Sequence, residues 1–295
     1  MFDKIRKFIP RRWRSDTPII PVVRMSGTIA AGGSQFRPSL SIASVAAQLD
    51  QAFDIKNAPV VAIIINSPGG SPVQSRLIYK RIRDLAIEKD KKVLVFVEDA
   101  AASGGYMIAC AGDEIIADPC SVIGSIGVVA ATFGFSDAIS RIGIERRVYT
   151  AGTSKVSLDP FQKEKKEDVA KLNVLLADMH DVFINLVKQG RGARLADNPD
   201  IFTGQYWLAE KALALGLIDS IGDIRSVIKT RYGEKAELKL ISAPRGFLGR
   251  RSGMPAVTSM ADASLTNIGA GLADEALARI DEQALWARIG LSAPR

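Results

Sequence analysis

Residues 59–112, PVVAIIINSPGGSPVQSRLIYKRIRDLAIEKDKKVLVFVEDAAASGGYMIACAG, contain one pattern twice. An apolar, β-branched run, at 60–65 and again at 93–97, leads into a loop of serine and glycine and then into a helical stretch. Runs that are apolar at every position are typical of strands buried on both faces, and their alternation with helices indicates a parallel sheet. The segment therefore predicts an α/β fold with a parallel sheet and covering helices.

The rest of the chain extends this pattern and divides it into three parts. Further strands are predicted at 19–29, in DEIIAD (113–118), in IERRVYT (144–150) and in AELKLI (236–241). Further helices are predicted at 41–54, 164–188 and 204–216. We expect a basic tail over 1–18, one main domain over 19–242, and a linker followed by an amphipathic helix over 243–295.

Charge is concentrated at the amino terminus. The formal net charge of the 295 residues is +7, and residues 1–14 (MFDKIRKFIPRRWR) carry +5 of it, which leaves +2 for the other 281 residues. A nearly neutral body argues against nucleic-acid binding. The basic tail also contains apolar side chains, so it predicts peripheral contact with anionic lipid; a solvated terminus is the alternative.

Membrane and cysteine signals are weak. No apolar run approaches the roughly 18 residues of a membrane span, and no cleavable signal follows the basic tail, so we expect a cytoplasmic protein, with peripheral contact at the inner face of the membrane. Cys110 and Cys120 provide neither a disulfide framework nor a metal-binding set. Cys110, between alanines, is predicted to be a small core residue.

Two loops, NSPGGSP (66–72) and AAASGGY (100–106), follow the strands of the repeat. Ligands of open α/β sheets bind at the carboxyl ends of strands, and paired glycines let backbone N–H groups converge on a negative oxygen. Ser103 could then act as a nucleophile. The alternative is that Ser67, Ser71 and Ser103 are helix N-caps in ordinary turns. Neither loop has a phosphate-binding spacing, so no nucleotide is expected.

A serine nucleophile needs a base, and the choice is narrow. The one histidine, His180, lies at the border of the apolar stripe of the helix at 164–188, which favours a structural role. A lysine can replace histidine when burial makes its amine neutral. Lys155, in TAGTSKVSLDPF (150–161), has small, hydroxylated or apolar neighbours and no other charge before Asp159. It is the candidate base.

Five segments together resemble a known family. They are IIINSPGGSP (63–72), AAASGGYMIACAGDEIIADP (100–119), SVIGSIGVVA (121–130), YTAGTSKVSLDPF (149–161) and DIFTGQYWLAEKALALGLIDSIGD (200–223). In this order they are similar to SppA-type signal peptide peptidases, over about residues 20 to 230. The resemblance implies a ClpP/crotonase-like fold of repeated ββα units. It also implies a membrane-associated serine peptidase with Ser103 as the nucleophile and Lys155 as the general base.

The resemblance extends to the rest of the site. It implies an oxyanion hole at the N–H of Gly70, with Gly104 beside the nucleophile as a second donor. Ser125 corresponds to a hydroxyl that orients the lysine, although a purely structural role in a Gly-Ser turn stays open. It further implies a homo-oligomer in which neighbouring protomers supply the serine and the lysine. No metal or other cofactor is expected.

The sequence therefore predicts a serine endopeptidase with a Ser-Lys dyad. Its substrates would be extended peptides, such as signal peptide remnants or unfolded and membrane-derived polypeptides. One alternative is a crotonase-like acyl-CoA enzyme, in which Glu98 or Asp99 would act in the pocket. Another is a non-catalytic scaffold that recruits membrane-proximal partners through the basic tail and the C-terminal helix.

Overall fold

The structure, a computed structural model, describes residues 17–32, 39–152, 154–242, 279–280 and 282–293. Its helices and strands follow in chain order as β1 (Ile19–Ser26), α1 (Ile42–Phe53), β2 (Val60–Ser67), α2 (Pro72–Glu88), β3 (Lys92–Ala102), α3 (Gly104–Ala109), β4 (Glu114–Ala117), β5 (Val122–Gly124), α4 (Ser136–Arg141), α5 (Lys166–Arg191), β6 (Tyr206–Leu208), α6 (Ala209–Ala214), β7 (Ser220–Ile221), α7 (Ile224–Tyr232) and β8 (Glu237–Leu240). Short 3₁₀ helices at Gly192–Arg194 and Pro199–Phe202 connect α5 to β6.

The eight described strands form one sheet in the order β6-β5-β3-β2-β1-β8; off this path, β4 pairs with β3, and β7 pairs with β4. Every pair is parallel except β5 with β6. The long strand β3 pairs with β4 along Leu94–Val97 and then with β5 along Ala100–Ala102. The carboxyl ends of β2 and β3 therefore lie side by side in the middle of the sheet.

Both faces of the sheet are covered, which explains strands that are apolar at every position. On one face Ile63 and Val95 pack with the buried side chains of α1, α2, α3 and the end of α5. On the other face Val60 and Leu94 pack against Ile228 of α7. The predicted class, α/β with a parallel sheet and covering helices, is confirmed.

Most predicted elements are confirmed, but two predictions were wrong. IERRVYT (144–150) forms no strand, because these residues lie in solvent with Ile144 and Tyr149 exposed and meet no described strand that could pair with them. The helix predicted from 204 begins only at Ala209, because Tyr206–Leu208 instead forms β6 and pairs with β5. In both places strand formation depends on a neighbouring strand, which a single segment does not reveal.

Part of the predicted C-terminal helix lies within the described residues. Residues 279–280 and 282–287 are helical, and Trp286 and Ile289 are buried against Ala100, Ala102 and Val122 of the central strands. Residues 1–16 of the predicted tail (1–18), and residues 243–278 of the predicted linker and helix (243–295), lie outside the described residues. None of the described helices combines the length and the apolar character that crossing a bilayer demands.

An ion pair connects the end of α5 to the segment between α6 and β7. The Arg191 side chain is fully buried and donates to both carboxylate oxygens of Asp219, at 2.8 and 2.9 Å. Burial alone would raise the pKa of the Asp219 carboxyl, but hydrogen bonds from Arg191 and the Ile115 N–H lower it below its ordinary value. Asp219 therefore stabilises the fold as a carboxylate, and this contribution is lost only in acid.

We expect Asp219→Asn to lower the free energy of unfolding by about 3–5 kcal/mol at pH 7, because Arg191 would keep a buried, uncompensated charge. Because the folded-state pKa is lowered, the deficit relative to wild type should shrink as the pH falls from about 5 to below 4. Urea unfolding at a series of pH values measures both effects. The exposed Asp84→Asn, which removes a surface pair with Lys80, is the control and should cost less than about 1 kcal/mol. A deficit that does not change with pH would contradict this account.

Candidate active site

Ser103 lies at the junction between β3 and α3 in a strained conformation. Its backbone has φ 51° and ψ −122°, and its side chain makes no capping hydrogen bond to α3. A non-glycine residue at positive φ costs on the order of 1–3 kcal/mol and persists only where its surroundings impose it. Here the Ser103 N–H donates to the Gly124 carbonyl at 2.8 Å. The side chain is partly exposed and does not act as the N-cap that the alternative interpretation required.

The loop after β2 lies directly against Ser103. A Cβ placed on Gly69 would come within 2.8 Å of the Ser103 Cβ and within 2.9 Å of the Gly104 nitrogen. A Cβ on Gly104 would lie 3.4 Å from the Gly70 nitrogen. Gly69 and Gly70 also adopt φ of 106° and 138°, which side chains of L-residues disfavour. The two glycine loops thus meet backbone to backbone, with no room for a side chain between them.

Two backbone N–H groups remain available at this contact. Neither the Gly70 N–H nor the Gly104 N–H donates a hydrogen bond to another described residue. Gly104 opens α3, where the first N–H groups of a helix have no partner within it. Unpaired donors next to a partly exposed hydroxyl are the arrangement that stabilises a negative oxygen formed by attack of that hydroxyl on a carbonyl.

Ser125 lies next to the residue that holds Ser103. Its backbone has φ 53°, and its N–H donates to the Gln205 carbonyl at 2.6 Å, in the turn that leads into β6. Its hydroxyl is partly exposed and bonds to no other described residue. Ser103 and Ser125 are therefore two strained serines, joined through the bond from the Ser103 N–H to Gly124. The structure leaves the hydroxyl of Ser125 available for a partner.

His180 and Cys110 both have surroundings that fit a structural role. The Nε2 atom of His180 lies 3.1 Å from the Ile126 carbonyl, so the ring braces the chain beyond Ser125. Cys110 is buried in the core as predicted, and burial raises the pKa of its thiol to about 12. A thiol that stays protonated is not a nucleophile.

Lys155 lies apart from this group within the described chain. It is exposed, and its side chain forms no hydrogen bond or ion pair with another described residue; only its N–H donates, to the Gly152 carbonyl at 3.2 Å. It belongs to a segment of residues 128–182, described except for 153, that we call the arm. The structure therefore brings together Ser103, Gly70, Gly104 and Ser125, but not Lys155.

The acidic residues of the acyl-CoA alternative are already engaged. Glu98 is paired with Arg24, and the Asp99 carboxylate accepts from the Asn66 amide at 2.6 Å. Both line a cavity of about 510 Å³ that also borders Cys120 and Asp223. Within the described ranges no group of three or more His, Cys, Asp or Glu side chains could hold a metal ion.

Residues 86–239 match the model of peptidase family S49. The chain belongs to this family. The predicted resemblance to SppA-type peptidases, which rested on five segments between residues 63 and 223, is therefore confirmed. The predicted enzyme class, a serine-type peptidase, is that of the family. The assignment of Ser103 as the nucleophile and Lys155 as the general base stays a prediction.

Known relatives of this S49 chain have different names. A protein of Brucella abortus named Na(+)/H(+) antiporter NhaA is 56% identical over 289 residues, which cover 97% of this chain and 39% of that protein. The chain thus spans less than half of that relative's length. A protease of Synechocystis sp. is 30% identical over 204 residues, covering 67% of this chain and 73% of that protein. Protease 4 of Haemophilus influenzae is 30% identical over 210 residues, covering 71% of this chain and 34% of that protein.

Solved structures include the membrane-bound stomatin-specific protease 1510-N in complex with a substrate peptide. It is 18% identical to the S49 chain, with a TM-score of 0.47, and the match covers 79% of this chain and 95% of that chain.

Sequence reasoning missed two residues of the S49 site. It singled out Gly70 of the first loop, whereas Gly69 is the residue that touches Ser103. It considered Ser67 only as a helix cap, whereas the Ser67 hydroxyl bonds within the loop itself. The two consecutive glycines at 69 and 70 could have identified Gly69. Nothing in the sequence distinguishes the second from an ordinary loop serine.

We expect Gly69→Ala to slow modification of Ser103 by a fluorophosphonate at least tenfold, because a Cβ at Gly69 overlaps Ser103 and displaces it. Gly233→Ala is the matched control: Gly233 has a similar φ, 96°, but nothing lies within 4 Å of its Cβ position. Gly233→Ala should lose about 1 kcal/mol through backbone strain, and Gly69→Ala should lose more, because its Cβ also overlaps backbone atoms of Ala102 and Gly104. Mass spectrometry of the modified protein and thermal unfolding measure the two effects. Equal modification rates in the two variants would show that the contact does not position Ser103.

Proposed function

We propose that this S49 chain is a serine endopeptidase in which Ser103 is the nucleophile and Lys155 the general base. The observation that carries the proposal is the strained Ser103 beside two unengaged N–H groups, those of Gly70 and Gly104. Family membership supports the same reaction class.

The reaction proceeds in two halves. The Ser103 Oγ attacks the peptide carbonyl carbon and its proton passes to the neutral amine of Lys155, while Gly70 and Gly104 donate to the oxyanion. Lys155 then gives this proton to the leaving nitrogen as the C–N bond breaks, which leaves an ester on Ser103. Water then attacks the ester carbonyl as Lys155 takes its proton, and Lys155 returns this proton to the Ser103 oxygen as the ester C–O bond breaks, which releases the carboxylic acid and restores the serine. The Ser125 hydroxyl oxygen accepts a hydrogen bond from an N–H of the neutral amine, which leaves the single lone pair of the amine directed toward Ser103.

We place the Lys155 of one protomer at the Ser103 of its neighbour in a homo-oligomer, because the arm is built as an interface. The arm folds on itself through rings of Phe133, Phe135 and Phe161, with Arg146 over the last. It nevertheless exposes large apolar side chains at Val129, Phe133, Ile142, Ile144, Tyr149, Val174, Leu175, Met179 and Val182. A segment that exposes this many large apolar side chains is typical of a protein interface.

Helix α5 supports the same arrangement. Its 26 residues span about 39 Å, yet its buried residues lie only near its C-terminal end, from Phe183 to Arg191. The predicted stripe from Val169 to Met179 remains partly or largely exposed in the single chain. An amphipathic stripe that the described residues leave uncovered needs a partner, and a second copy supplies one.

Substrates of this site are extended or unfolded polypeptides, including signal peptide remnants. Ser103 is only partly exposed, between two backbone loops, and a strand-like peptide reaches such a groove more easily than a folded domain. We place the enzyme in the cytoplasm, with residues 1–14 in contact with anionic lipid at the inner face of the membrane. The two free cysteines accord with a reducing compartment.

We expect Ser103→Ala and Lys155→Ala each to abolish cleavage of casein while thermal unfolding stays close to wild type. Co-refolding the two variants in equal amounts should restore about a quarter of the wild-type activity, because half of the serines and half of the lysines at each interface are intact. The cleavage rate of fluorescent casein measures this recovery.

The control for these variants is Lys163→Ala, which removes another exposed lysine of the arm and should retain activity. Full activity in Lys155→Ala would exclude the dyad. Two inactive variants that do not rescue each other, although native mass spectrometry shows mixed oligomers, would place both residues of each site in one protomer.

Cleavage should become faster between about pH 6 and 9, because a lysine accepts a proton only after it has lost its own. Initial rates on a peptide substrate, with enzyme stability checked at each pH, measure this profile. A flat profile, with chemistry shown to limit the rate, would argue against a lysine base.

A further inference from the structure

Ser67 ends β2 and is fully buried beneath the loop that lies against Ser103. Its Oγ donates to the Gly27 carbonyl at 2.7 Å and accepts from the Gly69 N–H at 3.2 Å. A carbonyl can only accept, so the hydroxyl proton is committed to Gly27 and a lone pair remains for Gly69. One side chain thus ties the turn after β1 to the loop after β2.

The donors of this loop can be accounted for one by one. Pro68 has no N–H, the Gly69 N–H binds Ser67, and the Ser71 N–H donates to the Ile29 carbonyl at 2.7 Å. Only the Gly70 N–H has no acceptor among the described residues. Ser67 therefore removes the one other donor that could compete for a negative oxygen at this point of the loop.

The direction of the Gly70 N–H is fixed as well. The Gly69 carbonyl accepts from the Ile29 N–H at 2.8 Å, and the N–H of the same trans peptide points the opposite way. The Gly70 N–H is thereby turned away from Ile29. The preceding peptide plane, between Pro68 and Gly69, is held by the hydrogen bond from the Gly69 N–H to the Ser67 Oγ. Two consecutive peptide planes of the loop are therefore fixed by hydrogen bonds.

We propose that Ser67 is a positioning residue of the oxyanion hole: its hydroxyl holds the Gly69 peptide so that, of the donors in this loop, only the Gly70 N–H faces the carbonyl attacked by Ser103, beside the Gly104 N–H of α3. This inference rests on the proposed function. Without the hydroxyl, the buried Gly69 N–H has no acceptor, and the loop rotates to find one. This rotation turns the Gly70 N–H away from the position of the oxyanion. Binding of the transition state is then weakened more than binding of the substrate.

The test compares Ser67→Ala with wild type on one peptide substrate, per active site titrated with a fluorophosphonate. We expect kcat to fall about 10- to 100-fold with KM changed less than about threefold, since the loss of an oxyanion donor acts on the transition state. The inhibition constant of a peptide aldehyde, whose adduct with Ser103 places an oxygen in the hole, should rise in step with the loss in kcat/KM.

Two further variants keep the test decisive. Ser67→Cys retains a weak donor and acceptor of similar size and should lie between Ala and wild type; it replaces Ser67→Ala if that variant does not fold. Ser121→Ala is the matched control, because Ser121 is equally buried but donates only to carbonyls of β3. It should leave kcat and the aldehyde affinity unchanged.

The outcomes separate the two proposals. If Ser67→Ala lowers thermal stability while kcat per titrated site and aldehyde affinity match wild type, Ser67 is structural and the inference is overturned. If wild type does not cleave the peptide, or Ser103→Ala cleaves it, the proposed function fails. A parallel loss of kcat and aldehyde affinity in Ser67→Ala, absent in Ser121→Ala, supports the inference.

Discussion

Backbone meets backbone where the loop after β2 lies against the end of β3, and the rest of the site depends on this contact. Gly69 approaches Ser103 so closely that a single methyl group would collide with it. The contact is possible because β2 and β3 are neighbouring parallel strands whose carboxyl ends emerge together. The sheet therefore brings the Ser103 hydroxyl and a pair of peptide N–H groups to one point with no intervening side chains.

Hydrogen bonds to β5 and to the residue before β6 hold the strained backbone of Ser103 and Ser125 in place. Ser103 and Ser125 both adopt positive φ, which their side chains disfavour. The Ser103 N–H is held by Gly124, and the Ser125 N–H by Gln205, just before β6. The antiparallel pair β5–β6 thus holds one side of the site, while the loop after β2 holds the other. A hydroxyl held in this way needs little reorganisation during attack.

The repeat at 59–112 predicted the α/β class, the central strands and the Ser103 loop, because buried parallel strands leave a strong apolar signature. The sequence did not predict features that depend on contact with another strand or loop. Tyr206–Leu208 becomes a strand only through β5, and Gly69 matters only because Ser103 lies across from it. The motif around Lys155 predicted a base, but the single chain leaves this lysine exposed. The sequence identified Lys155 as an unusual lysine, but it does not show whether this lysine meets the Ser103 of its own chain or that of another protomer.

The most direct test is a crystal structure of the assembled protein with a peptidyl fluorophosphonate bound covalently to Ser103. The account predicts one phosphoryl oxygen at about 2.7–3.1 Å from the nitrogens of both Gly70 and Gly104, where an oxyanion would lie. It also predicts the Lys155 amine of a neighbouring protomer within hydrogen-bond reach of the Ser103 oxygen. A phosphoryl oxygen directed into solvent, with every lysine amine out of reach, would contradict it.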